Sequence, residues 1–207
     1  MKPPADPVTR APVTRAPVTR APVTRATVRP ARADDVETIT GIYAHHVRHG
    51  VASFEETPPE SHEMGRRMAA IGDRGLPFLV AEIGGGTGGE IAGFAYAAPY
   101  RDRSAYRWAV EDSIYLADGF ERRGIGTLLL GEIIERCTET GMRQMIAIIG
   151  DSANAASIAI HARHGFRLAG TLPSVGFKFG RWIDSVIMAR PLGAGDSSPP
   201  DRPSGAA

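Results

Sequence analysis

From Ser113 to Thr140 the chain passes from strand formers, through two glycines set one residue apart, into an amphipathic helix. Few folds accommodate that order. Ser113-Ile114-Tyr115-Leu116 is rich in strand-forming residues, and Leu128, Leu129, Ile133, Ile134 and Cys137 recur at helical spacing after Gly126. The turn between them reads Glu121-Arg122-Arg123-Gly124-Ile125-Gly126. Glycine lets backbone approach an anion, and a helix N-terminus supplies unpaired N–H groups and the positive end of a dipole. The segment therefore predicts a cradle for a pyrophosphate. Short Gly-x-Gly turns occur in several nucleotide folds, so the rest of the chain must decide which one this is.

A chain of 207 residues with 43% hydrophobic content fits one domain plus tails. No apolar run reaches the roughly 18 residues of a membrane span, and the N-terminus lacks the apolar stretch of a secretory leader. A cytoplasmic location is expected. The single cysteine, Cys137, excludes an internal disulfide, and its place on an apolar helix face predicts a buried small hydrophobe. Pro-Val-Thr-Arg-Ala repeats four times from Pro7 to Ala26. A period of five matches no helix, strand or solenoid unit, and its prolines block helix and sheet alike. Residues 1–26 are thus expected to be a disordered tail, as are the Gly-, Pro- and Ser-rich residues 193–207, leaving residues 27–192 as the folded domain. The tail holds most of the basic excess at one charge per repeat, so the remainder of the chain is slightly acidic and no nucleic-acid partner is expected.

Within the folded part, Thr27–Pro30 has strand character and Ala33-Asp34-Asp35 opens a helix with acids in its first turn. Val36, Ile39, Ile42, Tyr43 and Val47 form its apolar stripe, and Gly50 ends it. Pro58 and Pro59 introduce a second helix with Met64, Met68 and Ile71 inward. Pro77–Ile83 and Glu90–Ala97 read as a hairpin; the glycine run between them is followed by no helix, so it is a turn. Strand Ala109–Leu116 leads into the cradle, and Arg143–Ile149 is apolar enough to be buried on both faces. A helix over Ala153–His164, ended by Gly165, and strands Phe166–Thr171 and Ile183–Ala189 complete the chain. The order predicts an α/β domain, with one mixed sheet of six to seven strands and helices on both faces.

That order, with Asn154-Ala155-Ala156-Ser157, then His161, then Gly165-Phe166, resembles the GNAT acyl-CoA N-acyltransferases and their Asn-x-x-Ser…Tyr…Gly-Phe motif. Histidine stands in the usual tyrosine slot, and Glu121 departs from the Gln or Arg that the family prefers at the first cradle position. The resemblance implies a sheet splayed between its fourth and fifth strands. Acetyl-CoA would lie along Ile114, Tyr115 and Leu116, with its diphosphate on Arg122, Arg123, Gly124, Ile125, Gly126 and Thr127, and Asn154 and Ser157 nearby. A closer resemblance, over Thr27 to Leu192, is to the phosphinothricin acetyltransferase subfamily. It is carried by His45 and Phe54, by Ala95-Tyr96-Ala97-Ala98-Pro99 with Arg101, Arg103 and Ala105-Tyr106, and by Trp108-Ala109-Val110-Glu111 with Ser113-Ile114-Tyr115. Gly176-Phe177-Lys178-Phe179-Gly180-Arg181-Trp182-Ile183-Asp184 matches the subfamily's closing motif. It implies acetyl transfer to the α-amino group of phosphinothricin, methionine sulfoximine or methionine sulfone, conferring resistance, by a homodimer.

An ammonium has no lone pair, so the amine must lose a proton before it attacks a thioester. The resemblance implies Glu111 as that base; the alternative is a carboxylate that only solvates a strand end. Asp112 beside it points to the other face of a regular strand. His161 stands where relatives carry a proton donor for the departing thiolate, the alternative being a packing role, and His164 reads as a helix-end residue. Arg101 and Arg103 are spaced to bind a substrate carboxylate, with Phe54 and Tyr106 as walls and Lys178 counted with the same pocket. Another amine, such as an aminoglycoside, a polyamine or a protein N-terminus, or a non-catalytic acyl-CoA-binding role, remains open. Of His45, His46 and His49, His45 and His49 lie one helical turn apart, but no third ligand has suitable spacing, so no metal is expected.

Overall fold

The computed structural model describes residues 26–84 and 88–200. The Pro-Val-Thr-Arg-Ala repeats up to Arg25, the tip of the glycine-rich hairpin and residues 201–207 of the expected C-terminal tail lie outside them, while Ala26, expected in the N-terminal tail, begins the first strand. The elements run β1 (Ala26–Pro30), α1 (Val36–His49), α2 (Ser61–Gly72), β2 (Phe78–Ile83), β3 (Glu90–Pro99), β4 (Ala109–Leu116) and α3 (Ile125–Glu139). Then follow β5 (Gln144–Gly150), α4 (Ala155–Arg163), β6 (Arg167–Lys178) and β7 (Arg181–Pro191). Single 3-10 turns precede α1 at Ala33–Asp35 and β4 at Ser104–Tyr106. The strands form one sheet in the order β1-β2-β3-β4-β5-β7-β6. All neighbours are antiparallel except β4 and β5. The expected mixed α/β sheet is present with seven strands.

Strand alternation assigns the helices to faces. Tyr115 meets Tyr43 of α1 edge-on, with ring centroids 5.0 Å apart, whereas the next residue, Leu116, lies against Gly126 of α3. α1 and α2 thus cover one face, and α3 and α4 the other. Ile39 and Val47 of α1 and Leu129 and Ile133 of α3 are fully buried, as the helical spacing predicted, against Leu79, Val80 and Phe94 of the central strands. Leu128, expected on the same stripe, is exposed, and Leu130, one turn before Ile133 and Ile134, is buried instead. Each such side chain contributes about 1.5–3 kcal/mol by leaving water. Among the described residues, no helix is long and apolar enough to cross a membrane.

The feature that positions the site is a fork in the sheet. β4 and β5 pair only from Ala109↔Gln144 to Asp112↔Ala147, yet both strands continue. Beyond that pair β4 stays bonded to β3, out to Leu116↔Gly93, and β5 stays bonded to β7, out to Gly150↔Ser185. The facing edges of Ser113–Leu116 and Ile148–Gly150 are therefore open toward one another.

The C-terminal strands exceed their expected bounds. β6 continues from Thr171 to Lys178 and β7 begins at Arg181, around a two-residue turn in which Phe179 has φ 52° and Gly180 φ 73°. Two left-handed residues make a turn whose twist matches the strands it joins. β6 is an edge strand exposed along most of its length, with register shifts at Leu168/Gly170 and Leu172/Gly176 that accommodate Pro173. A strand with no buried face carries no alternating pattern, which is why the sequence did not reveal it. Residues 193–198, expected to be disordered, are turns held by Arg143, whose guanidinium donates to Gly195 O (2.8 Å) and Ser198 O (2.6 Å).

Candidate active site

A cavity of about 560 Å³ occupies the fork. It is lined from one face by Asp112, Ile114, Leu116, Ile160 and His161 and from the other by His46, Ala52, Ser113 and Tyr115, so it passes through the sheet. Its mouth is the glycine turn. Arg122 (φ 59°) and Gly124 (φ 85°) both adopt left-handed backbone, which folds the chain back just ahead of α3. Leu128 N–H donates to Gly124 O (3.0 Å) as the first bond of the helix, leaving the preceding N–H groups without helical acceptors. Gly126 serves a different purpose: a side chain there would touch Ile160 at 3.4 Å and intrude on the groove. Asn154 caps α4 by accepting from Ser157 N–H at 3.2 Å.

Of the residues expected to hold the cofactor, Ile114, Tyr115, Leu116, Arg122, Gly124, Gly126, Thr127, Asn154 and Ser157 line this cavity. Ile125 is buried beneath the cradle, and the Arg123 guanidinium lies 4.9 Å from the centre of the Phe120 ring, so neither side chain reaches it. His46 was missed. Its Nε2–H donates to Leu116 O at 2.7 Å, at the tip of the fork, and burial lowers its pKa more than that bond raises it. The neutral ring with the proton on Nε2 is the form that fits. Its position three residues after Tyr43 on the inward face of α1 was a signal the sequence held; His45 is exposed instead.

Two carboxylates stand side by side at the base of the fork, on opposite faces. Glu111 shares the α1 face with Tyr115 by strand alternation and does not line the cavity. Burial raises its pKa, the positive field of Arg101 opposes this, and the neighbouring Asp112 adds to it. Asp112 faces α4. Its Oδ2 lies 3.0 Å from His161 Nε2, while His161 Nδ1 lies 2.7 Å from Ser157 O. Both residues are buried, and among the described residues Asp112 Oδ1 has no hydrogen-bond partner. His161 thus lines the cavity with both ring nitrogens engaged.

The expected substrate residues divide into two groups. Arg101 and Arg103 line a separate hollow of about 160 Å³ at the start of β4, together with Arg74 and Arg107. The Arg101 guanidinium also stacks 4.3 Å from the centre of the Tyr100 ring, which Tyr106 meets edge-on at 5.7 Å. Phe54 lies over the ends of β5 and β6, so close that a Cβ on Gly176 would come within 2.4 Å of its ring. Lys178 is buried and donates to Gly50 O (3.0 Å) and Ser53 O (2.7 Å), strapping the loop after α1 to β6. Asp184 of the closing motif also organises loops, accepting from Ser174 N–H (2.9 Å) and Ser152 Oγ–H (2.7 Å). Among the described residues, no cluster of three His, Cys, Asp or Glu side chains is placed to hold a metal.

The chain matches the acetyltransferase (GNAT) family over residues 43–166. It is 55% identical over 174 residues to phosphinothricin N-acetyltransferase of Alcaligenes faecalis, covering 84% of this chain and 86% of that one. It is 37% identical over 172 residues to the L-methionine sulfoximine/L-methionine sulfone acetyltransferase of Pseudomonas paraeruginosa, covering 83% and 98% of the two chains. Its fold resembles the crystal structure of a phosphinothricin acetyltransferase from Sinorhizobium meliloti in complex with acetyl-CoA, with TM-score 0.81, 47% identity, and 85% and 93% of the chains covered.

Proposed function

This chain belongs to the GNAT acetyltransferase family, and on that premise we propose that it moves the acetyl group of acetyl-CoA to the α-amino group of a small amino acid. Phosphinothricin, methionine sulfoximine and methionine sulfone are the substrates favoured, since similar chains bear those names. The observation that carries the reading is the fork: a cavity of about 560 Å³ runs from the orphan N–H groups at the start of α3 to Asp112, next to Glu111 on β4. A diphosphate suits the first end by charge and hydrogen bonding. The open edges of β4 and β5 suit the amides of a pantetheine arm, which alternate donors and acceptors as a strand does. No metal is needed in this reading.

Glu111 is the base that takes the ammonium proton, directly or through water, with its raised pKa bringing it nearer the working pH. Arg101 and Arg103 meet the substrate carboxylate. We further propose a homodimer, working in the cytoplasm, that confers resistance by masking the amino group its toxins need. The proposed dimer contact is the β6–β7 hairpin, where Leu168, Leu172, Val175, Phe177 and Trp182 are exposed.

Release of free thiol from acetyl-CoA across a panel of amines tests the activity. Phosphinothricin and methionine sulfoximine should give the highest kcat/KM, and faster reaction of an aminoglycoside or polyamine would overturn the substrate class. Glu111→Gln should fold and lose roughly 100-fold to 10,000-fold in kcat. Parental turnover by that variant would remove Glu111 from the base role.

A further inference from the structure

The residue next to the proposed base has no role in the reading so far, although it is the better placed of the two toward the cavity. Asp112 belongs to the last β4–β5 pair, so its side chain stands where the strands part. It is 7% exposed, and among the described residues only one of its oxygens has a partner. A carboxylate serving only to tie α4 to the sheet would have both oxygens satisfied, because a buried unmade bond costs about 1–3 kcal/mol or more. Here Oδ2 holds His161 and Oδ1 is left over beside the cavity that both residues line.

We propose that Asp112 is a positioning residue for acetyl transfer, holding the His161 ring as an imidazolium at the fork, where its charge faces the departing thiolate. The inference rests on the acetyl-CoA reading above. A carbonyl and a carboxylate can only accept, so the form of His161 that satisfies Ser157 O and Asp112 Oδ2 together is the imidazolium, with both nitrogens donating. Burial lowers the pKa of His161, and the bonds to Asp112 and Ser157 more than offset this, leaving it raised above the ordinary imidazole value. An unshifted imidazole would be only about a tenth charged near pH 7.5. With Asp112 in place the charged form of the ring is favoured, and its positive charge stands beside the cavity. When the C–S bond breaks, its electron pair stays on sulfur, and the thiolate leaves beside the imidazolium, whose Nε2–H stays bonded to Asp112 Oδ2. The thiolate departs with coenzyme A and takes its proton from solvent, and His161 keeps its charge throughout.

The groups facing the pair are few. Burial, with a smaller contribution from the field of Asp112, pushes the Cys137 thiol of α3 up to about 12, so it is neutral; Glu111 stands behind Asp112 on β4. The Phe166 ring meets the imidazole edge-on at 5.0 Å. The charge on His161 is thus governed by Asp112.

Asp112→Asn, isosteric and uncharged, tests this with two readouts. The first is the 15N titration of His161 in the free protein, which needs no turnover. The second is kcat against pH with acetyl-CoA and the best amino acid. In the variant, the His161 titration and the alkaline limb of kcat should move together to lower pH. The kcat at pH 8 should fall at least tenfold, with KM for acetyl-CoA within about threefold. A titration and pH profile unmoved from the parent, or a rise in KM without a change in the profile, would overturn the proposal. If Asp112→Asn does not fold, His161→Gln must abolish the same limb, and its persistence would overturn it equally. Failure of the parent to release thiol with any amine would instead sink the acetyl-transfer reading, while the titration still decides whether Asp112 holds the His161 proton.

Discussion

Lys178 and Glu111 show how the same burial has opposite uses. Lys178 donates to two carbonyls of the loop after α1, beside the Tyr43–Ser53 hydroxyl bond of 2.9 Å, and so keeps that loop against β6. Lys178→Met would leave Gly50 O and Ser53 O unsatisfied at a cost of about 1–3 kcal/mol, lowering Tm by several degrees. A substrate contact would instead raise KM for the amino acid at unchanged Tm, so thermal melts and steady-state kinetics on one variant separate the two roles. Glu111 strains the fold. Its folded-state pKa lies above the unfolded value because burial disfavours the charge. The stability this links to is therefore present at low pH and lost as pH rises through the folded pKa. Glu111→Gln should melt higher than the parent near pH 8, with the gap closing toward about pH 4. A gap that widens on acidification would mean the carboxylate is stabilised in the fold.

At the scale of elements, the start of α3 decides affinity for the donor. Gly124 has open space where a Cβ would go, but its φ of 85° lies in the left-handed region. Gly124→Ala therefore costs about 1–2 kcal/mol if the turn is kept, and otherwise the turn re-forms with its N–H groups aimed elsewhere. KM for acetyl-CoA should rise at least tenfold with KM for the amino acid nearly unchanged. Equal effects on both would argue that the turn supports the whole site. The turn was legible because glycine, strand and helix signals are local, and so was the stripe of α1. The extent of β6 was not, since an edge strand exposed on both faces needs no apolar alternation. The role of Lys178 was hidden for a related reason: its acceptors lie 125 and more residues away in sequence.

For the whole molecule, the β6–β7 hairpin is a surface in search of a partner. Phe177 is 56% exposed and Trp182 64%, their rings 5.1 Å apart, on a sheet edge that would otherwise invite aggregation. A second copy related by a twofold axis would cover like with like. Sedimentation should find a dimer, and Phe177→Ser with Trp182→Ser should give a folded monomer. A parent that sediments as a monomer at tens of micromolar would exclude that contact.

The sequence alone determined the order of elements, the faces that turn inward and the anion-binding turn, because each depends on side chains within a few residues of one another. Its motifs also pointed to the family and to His161. Only the tertiary structure decided that β4 and β5 separate after Asp112↔Ala147. It also decided that Asp112 meets His161 across 49 residues of chain and that His46 reaches Leu116 across 70. Those are contacts between elements, fixed by how a sheet and two helices pack, and no local pattern encodes the distance between them.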